Sequence, residues 1–452
     1  MDLFAPIVRN VLYPLWVRKN RSNLLRDLRE MERTQYLPHA TIRRLQQDRF
    51  VALVAHAYSS CPFYRRKFDA AGLKPEHIRS LDDAARVPFT TKEEIQQFRE
   101  DMIAPAHRSP RLIRDTTGGS TGSPLVFHYD EERLASRNAA TIRHNRWAGW
   151  DIGNPVALLW GAPRDAAATG WKARLRTRLL DRSIFLDASS LDPDRMASFA
   201  HTLAARAPKI ILGYANTLAL FARFLLERRL DGIRPAAVVS SAEVLTPEHR
   251  ESIEQALGCR VFNRYGCREF AVIASECEYH GGMHVNAENL LVEVIDAGRP
   301  VLDAEGDIVI TDLRNLAMPM IRYRIMDRGI LRSASCPCGR GLPLLDVPGG
   351  RVTDFLVTPQ GTRVSGVVMA TYVITNMPGI QQIQFLQERT DSVTVRLVRG
   401  PEWSDAVLPA LTARIHGFLS TAVRVDTVFV DHIAQESSGK YRFSISRVPG
   451  QP

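Results

Sequence analysis

No stretch of this 452-residue chain is apolar for long enough to read as a membrane span. The most apolar one, Ile210 to Leu226, is interrupted by Asn216, Thr217 and Arg223. The opening Met1-Asp2-Leu3-Phe4-Ala5-Pro6 leads into no apolar h-region and no small-residue cleavage site, which excludes a secretory signal. Cysteine is scarce, with 6 residues, which excludes a disulfide framework and suits reduced thiols in the cytoplasm. Internal repeats and low-complexity segments are absent. Basic residues exceed acidic ones, 59 against 49, for a formal net charge of +10. No basic patch interleaved with aromatics accompanies that excess, so nucleic acid is not an expected partner. The same charge suits an anionic nucleotide substrate.

What is present is an ordinary globular balance, 45% hydrophobic and 24% charged. The length predicts two or more domains. Val8, Val11, Leu12, Leu15 and Trp16 among Arg9, Arg18, Lys19 and Arg21 predict an amphipathic helix. It either packs on its own domain, the reading favoured here, or lies on a membrane. Residues 20 to 103 read as helical, with Leu45, Phe50, Leu53, Val54 and Ala57 near a helical period. From Val156–Trp160 onward, short apolar strands alternate with helices, at Lys209–Leu212, Ala236–Ser240, Arg260–Phe262, Leu290–Ile295 and Asp307–Ile310. Thr246-Pro247-Glu248 is a helix start and Leu257-Gly258 a stop. The fold class expected is α/β: a large N-terminal domain, 1–350, with mostly parallel sheets and a helical part over about 1–103. After Gly349-Gly350-Arg351 the pattern restarts as β-α-β-β-α-β, a small α+β domain, 351–452, joined by a hinge.

The densest chemistry lies in Thr116-Thr117-Gly118-Gly119-Ser120-Thr121-Gly122-Ser123-Pro124. Glycines let backbone N–H groups crowd an anion, and hydroxyls add donors. The stretch is not a P-loop, because it lacks both that spacing and the lysine. In Asn263-Arg264-Tyr265-Gly266-Cys267-Arg268-Glu269, Glu269 falls just past a strand, where a carboxylate can hold magnesium against phosphates. In Ile321–Gly329, Asp327 is the only acid among Arg322, Arg324 and Arg328; it either accepts ribose hydroxyls or pairs with an arginine. Arg351 to Asp354 is a candidate hinge, and Lys440 lies in Ser437-Ser438-Gly439-Lys440-Tyr441-Arg442 on the small domain.

Taken in order, these segments resemble the adenylate-forming superfamily, and within it the phenylacetate–CoA ligase and CapK-like branch. The matching positions are Thr116–Pro124, Ser240-Ser241-Ala242-Glu243, Tyr265-Gly266 with Glu269, Asp327, Arg351, Asp354 and Gly439-Lys440. The resemblance runs from about Pro88 to Lys440. It implies that a carboxylic acid attacks the α-phosphate of ATP, releasing pyrophosphate and leaving an acyl-adenylate for transfer to CoA or another acceptor. It implies that the Thr117–Thr121 loop holds phosphates, that Glu269 orients magnesium and that Ser241, Ala242 and Glu243 flank adenine. Tyr265, Gly266, Asp327 and Arg351 then complete the nucleotide site, and Lys440 swings in for adenylation about a pivot at Asp354. Trp160, Tyr214 and Ser241 are candidate acyl-pocket residues. Three features depart from the family pattern: Ser123 stands where many members carry lysine, Ala242-Glu243 replaces Glu-Pro or Gly-Glu, and Ser-Gly-Lys lacks a Pro-Arg-Thr lead. Whether the chain forms a homodimer is left open.

Cys277, His280 and His284, with Cys336-Pro337-Cys338, offer a tetrahedral N/S set for a structural zinc over 277–338. Cys277, His284, Cys336 and Cys338 are favoured, with His280 the alternative to His284. Phenylacetate–CoA ligase-like proteins carry a similar arrangement.

Overall fold

The computed structural model describes residues 2–108, 111–117, 125–161, 175–189, 191–348, 354–369, 373, 377, 379–400, 402–433 and 443–448. Among these, helices fill much of the first hundred positions. His39–Ser60 is the longest, and Lys92–Met102 opens on a capping box in which Thr91 and Glu94 satisfy each other's backbone N–H. Strands β1 (Ile113–Thr116) and β2 (Val126–Tyr129) then form an antiparallel hairpin of their own.

The main sheet has twelve strands. In chain order they are β3 (Val156–Trp160), β4 (Ser183–Asp187), β5 (Ile210–Tyr214), β6 (Ala237–Ser241), β7 (Arg260–Cys267), β8 (Ala271–Glu276), β9 (Met283–Val285), β10 (Leu290–Asp296), β11 (Arg299–Pro300), β12 (Glu305–Asp312), β13 (Tyr323–Arg332) and β14 (Leu344–Asp346). Their spatial order is β11-β10-β12-β13-β14-β9-β8-β7-β6-β5-β3-β4. The α/β class is as expected, with parallel pairing confined to β4, β3, β5, β6 and β7. There the helices Pro193–Arg206, Ala215–Arg228 and Pro247–Leu257 provide the crossovers. Within this sheet, beyond β7 the connections are too short for a crossover, and every pairing is antiparallel. The third of these helices begins and ends where the sequence says. The Thr246 hydroxyl accepts from the His249 N–H, and Gly258 takes the left-handed conformation at φ +62°.

The last part of the chain forms separate sheets. β15 (Phe355–Val357) pairs with β16 (Arg363–Ser365). β17 (Ile380–Arg389), β18 (Ser392–Arg399), β19 (Arg424–Phe429) and β20 (Ser444–Ser446) make a four-stranded sheet in the order β19-β18-β17-β20. The helix Val407–Leu419 covers it, burying Leu411, Ile415 and Leu419 in a core of their own.

Buried ion pairs join the early helices to the sheet. Arg143, on the helix Glu131–Trp147, lies 2.7 Å from Glu288 with both side chains 1% exposed. The Thr34 hydroxyl donates to the same carboxylate at 2.7 Å, and Arg143 also donates to Asn286 at 3.1 Å. Arg133 on the same helix pairs with buried Asp312 at 2.7 Å. Removing one partner strands a buried charge, which costs about 3–5 kcal/mol. Arg143→Ala is therefore expected to lower the urea-unfolding free energy by that amount; a loss below about 1 kcal/mol would refute the role, since that is what an exposed pair contributes.

Candidate active site

The carboxyl ends of the parallel strands meet the antiparallel half along β7. At the end of β6, Ser241 is buried and Ala242 takes a left-handed backbone, φ +68°. That turn points Glu243 at the helix Ala215–Arg228. Its carboxylate accepts from the Asn216 backbone N–H at 2.8 Å and stands 3.3 Å from the Asn216 amide. Glu243 thus accepts from a first-turn N–H at the helix N-terminus.

One strand over, β7 has a bulge at Tyr265 and Gly266. A Cβ on Gly266 would lie 2.4 Å from the Ala271 carbonyl oxygen, so only glycine fits. The bulge leads into the turn that carries Glu269, between β7 and β8. Tyr265 donates its hydroxyl proton to Asp327 on β13 at 2.7 Å. None of the three neighbouring arginines is paired with Asp327. Arg322 is buried against Glu293 at 3.1 Å, Arg324 stacks over the Phe89 ring, and Arg328 bonds Glu305 and Asp307. Asp327 is thus set by Tyr265, and the competing reading of an Arg–Asp pair is overturned among the described residues.

Glu269 and Asp327 act on the same surroundings. Burial, and then the Glu269 charge, push both the Cys267 thiol and the Tyr323 phenol well above their usual range, with Asp327 adding to each. Both groups are held neutral beside two carboxylates, which makes the pocket negative and receptive to a cation. Glu93 also bears on Tyr323. It arrives because the backbone of Thr90 pairs with β13, donating to the Arg322 carbonyl at 2.9 Å and accepting from the Arg324 N–H at 3.0 Å. Sequence reading missed this contribution; the Thr91/Glu94 capping box was its available signal.

The base of the Gly/Ser loop lies beside this turn. Thr117 donates its N–H to the Leu125 carbonyl, and its hydroxyl accepts from the Leu125 N–H, each at 2.9 Å. Asp115, next to Thr116, lies 3.7 Å from Arg268, and Arg137 donates to the Arg268 carbonyl at 2.6 Å. Gly118, Gly119, Ser120, Thr121, Gly122, Arg351 and Lys440 lie outside the described residues. Asp354 is described: its carboxylate accepts from the Ser446 N–H at 2.9 Å, and its carbonyl accepts the Ser444 hydroxyl at 2.7 Å. Trp160 and Tyr214 stack at the ends of β3 and β5 with ring centroids 4.4 Å apart, beside Ala188, Ala242 and Val368.

A second cluster lies on the antiparallel half. The ligand atoms of Cys277, His284, Cys336 and Cys338 all fall within 4.8 Å of one another. The Cys277 and Cys336 sulfurs are 3.7 Å apart, and Cys338 Sγ is 3.3 Å from His284 Nε2. Burial lowers His284 to about 4, so its ring is neutral, and Nδ1 faces the Leu342 carbonyl, leaving Nε2 for a metal. His280 turns away from the cluster: its Nδ1 lies 3.0 Å from Glu276 and its ring packs against Phe262, tilted at 56°. In this geometry His284 and not His280 stands in the cluster. Burial pushes the Cys277 thiol up to about 12, the cost of a thiolate there that a bound dication would offset. The set fits a closed tetrahedral zinc site, with no position open for catalysis.

Comparison with known proteins places the fold. The fold is that of the adenylate-forming ligases. It superposes on crystal structures of 2-hydroxyisobutyryl-CoA ligase in complex with 2-HIB-AMP and CoA, at TM-score 0.63, 22% identity and 92% of each chain. Within that class the chain is similar to the phenylacetate–coenzyme A ligase of Thermus thermophilus, 29% identical over 74% of this chain and 76% of the relative. The Aromatoleum evansii phenylacetate–coenzyme A ligase is 26% identical over 90% and 95%. Protein CapK of Staphylococcus aureus is 22% identical over 89% of each, and residues 356–447 match the CapK C-terminal domain. The resemblance read from the sequence is borne out. Among the described residues, no helix is long and apolar enough to cross a membrane.

Metal analysis tests the cysteine cluster. We expect about one zinc per chain, as one closed four-ligand site requires, lost in Cys336→Ser and His284→Ala and kept in His280→Ala. Zinc that survives the first two substitutions would overturn this ligand set.

Proposed function

We propose that the chain is an ATP-dependent, AMP-forming ligase that converts a carboxylic acid to its acyl-adenylate and passes the acyl group to CoA. Support for the class comes from the phenylacetate–coenzyme A ligases that resemble it over most of both chains. The observation that carries the site assignment is the convergence of Glu269, Asp327 and the base of the Gly/Ser loop on one end of β7.

In this reading the Thr116–Gly122 segment receives the β- and γ-phosphates, and Asp327, oriented by Tyr265, accepts the ribose hydroxyls. Ser241, Ala242 and Gly266 line the base and sugar with backbone, while Glu243 shapes that wall by holding the helix behind it. Glu269 would hold a magnesium ion, which when bound would supply positive charge against the phosphates. Cys267 and Tyr323, kept neutral by burial and by Glu269, add no competing charge. Arg351 contacts the nucleotide, and Lys440 bridges the substrate carboxylate and α-phosphate as a compact cation on a flexible stem. Residues 351–452 then turn about Asp354 to admit the acceptor. The buried zinc set is structural, and the cytoplasm supplies ATP and keeps the thiols reduced.

The second reading is the one the resemblance to CapK implies, a CapK-like protein that acylates an acceptor other than CoA in polysaccharide biosynthesis.

ATP–pyrophosphate exchange across a panel of carboxylic acids tests the first half-reaction, and release of free thiol from CoA reads the second. Exchange with at least one acid is expected; ATP binding without exchange on any acid would refute the enzyme reading, and exchange without thiol consumption would select the other acceptor. Lys440→Ala is expected to cut exchange more than tenfold, about 1.4 kcal/mol of barrier, with ATP affinity within about twofold of the parent. Tyr265→Phe removes one hydrogen bond to a carboxylate, about 1.5–3 kcal/mol. It should raise the KM for ATP tenfold or more while kcat changes less. An unchanged KM would detach Asp327 from the nucleotide.

A further inference from the structure

The first helical stretch retains an apolar face that nothing among the described residues covers. Phe4–Ile7, a wider π-turn at Val8–Leu12 and Tyr13–Lys19 run on as one helix. Ala5, Val8 and Val17 bury its inner side. On the outer side Leu3 is 81% exposed, Ile7 49%, Val11 49% and Leu15 59%. Four residues overshoot a regular α-turn of 3.6, so positions spaced by four drift around an ordinary helix. The π-turn takes up that excess, and the four side chains share a side.

A neighbouring segment extends the patch. Residues 175–182 pack beside this helix, with Arg176 over the Trp16 ring at 5.1 Å and Arg182 over Phe4 at 5.4 Å. They add Leu175 and Leu179, both exposed. The acids near the patch, Asp2, Asp151 and Asp181, pair with Arg182, Arg9 and Arg176, so the charge left over around it is cationic among the described residues. Residues 3 to 26 contain no Asp or Glu, and Arg18, Lys19, Arg21 and Arg178 are exposed with no salt bridge among the described residues.

We propose that this face docks on an anionic membrane surface, with the Leu3–Leu15 stripe entering the interface and the Arg18–Arg21 cations contacting acidic headgroups. Exposed aliphatics rimmed by unpaired cations are the composition of an interfacial helix. Among the described residues no helix is long and apolar enough to cross the bilayer, so the face would lie on it. A second copy fits less well, because a twofold contact would set these cations against their own images. The residues lie outside the candidate active site, so the proposal stands or falls apart from the ligase reading.

Co-sedimentation of the full chain with phosphatidylcholine vesicles, with and without phosphatidylserine, tests it. Binding is expected only with phosphatidylserine and should weaken as salt rises. Val11→Glu/Leu15→Glu and Arg18→Gln/Lys19→Gln/Arg21→Gln should each lower affinity more than about tenfold, since each cation contributes on the order of fivefold. ATP–pyrophosphate exchange should be unchanged in both, which also reports that they fold. No binding to phosphatidylserine vesicles, or parental binding by both variants, overturns the proposal. So does a dimer in sedimentation velocity that Val11→Glu/Leu15→Glu abolishes while vesicles go unbound.

Discussion

Strand β7 is paired parallel on one side and antiparallel on the other, and the candidate active site follows from that constraint. A parallel strand must send its chain away over a helix, so β3, β5 and β6 all release their loops at the same edge. An antiparallel strand can turn straight back, so β7 returns as β8 through a tight turn bearing Glu269. The two regimes meet at a bulge only glycine can form. There the crossover ends deliver Ser241 and Tyr214, the tight turn delivers the carboxylate, and β13 delivers Asp327 to the Tyr265 hydroxyl.

The early helices contribute more than bulk. Their ion pairs with Glu288 and Asp312 fix them against the sheet in a low-dielectric setting where a stranded charge is costly. Separately, Thr90 pairs as an extra strand residue beside β13, which brings Glu93 toward Tyr323. The cysteine cluster does comparable work at the other end of the antiparallel half, joining the turn after β8, strand β9 and the loop before β14.

Legibility in the sequence followed burial. β5 and β6 are covered on both faces, so their apolar runs announced them, and the capped helix Pro247–Leu257 was read to the residue. β13 was seen as a string of charges around Asp327 and not as a strand. Its arginines leave by different routes, to Glu293, to Phe89 and to Glu305, and no periodicity encodes those destinations. The metal set was legible as residue types, but choosing His284 over His280 needed ring orientation, which spacing does not carry. The Tyr265–Asp327 bond joins positions 62 apart and was equally invisible.

Glu243 has an implication for how such a chain diversifies. Its carboxylate is committed to the first turn of the helix Ala215–Arg228, which also carries the back wall behind Tyr214. A replacement here that cannot accept a hydrogen bond would loosen that helix's first turn along with the wall it borders. In the candidate acyl pocket, variation would fall instead on Trp160 and Tyr214, whose rings lie 4.4 Å apart.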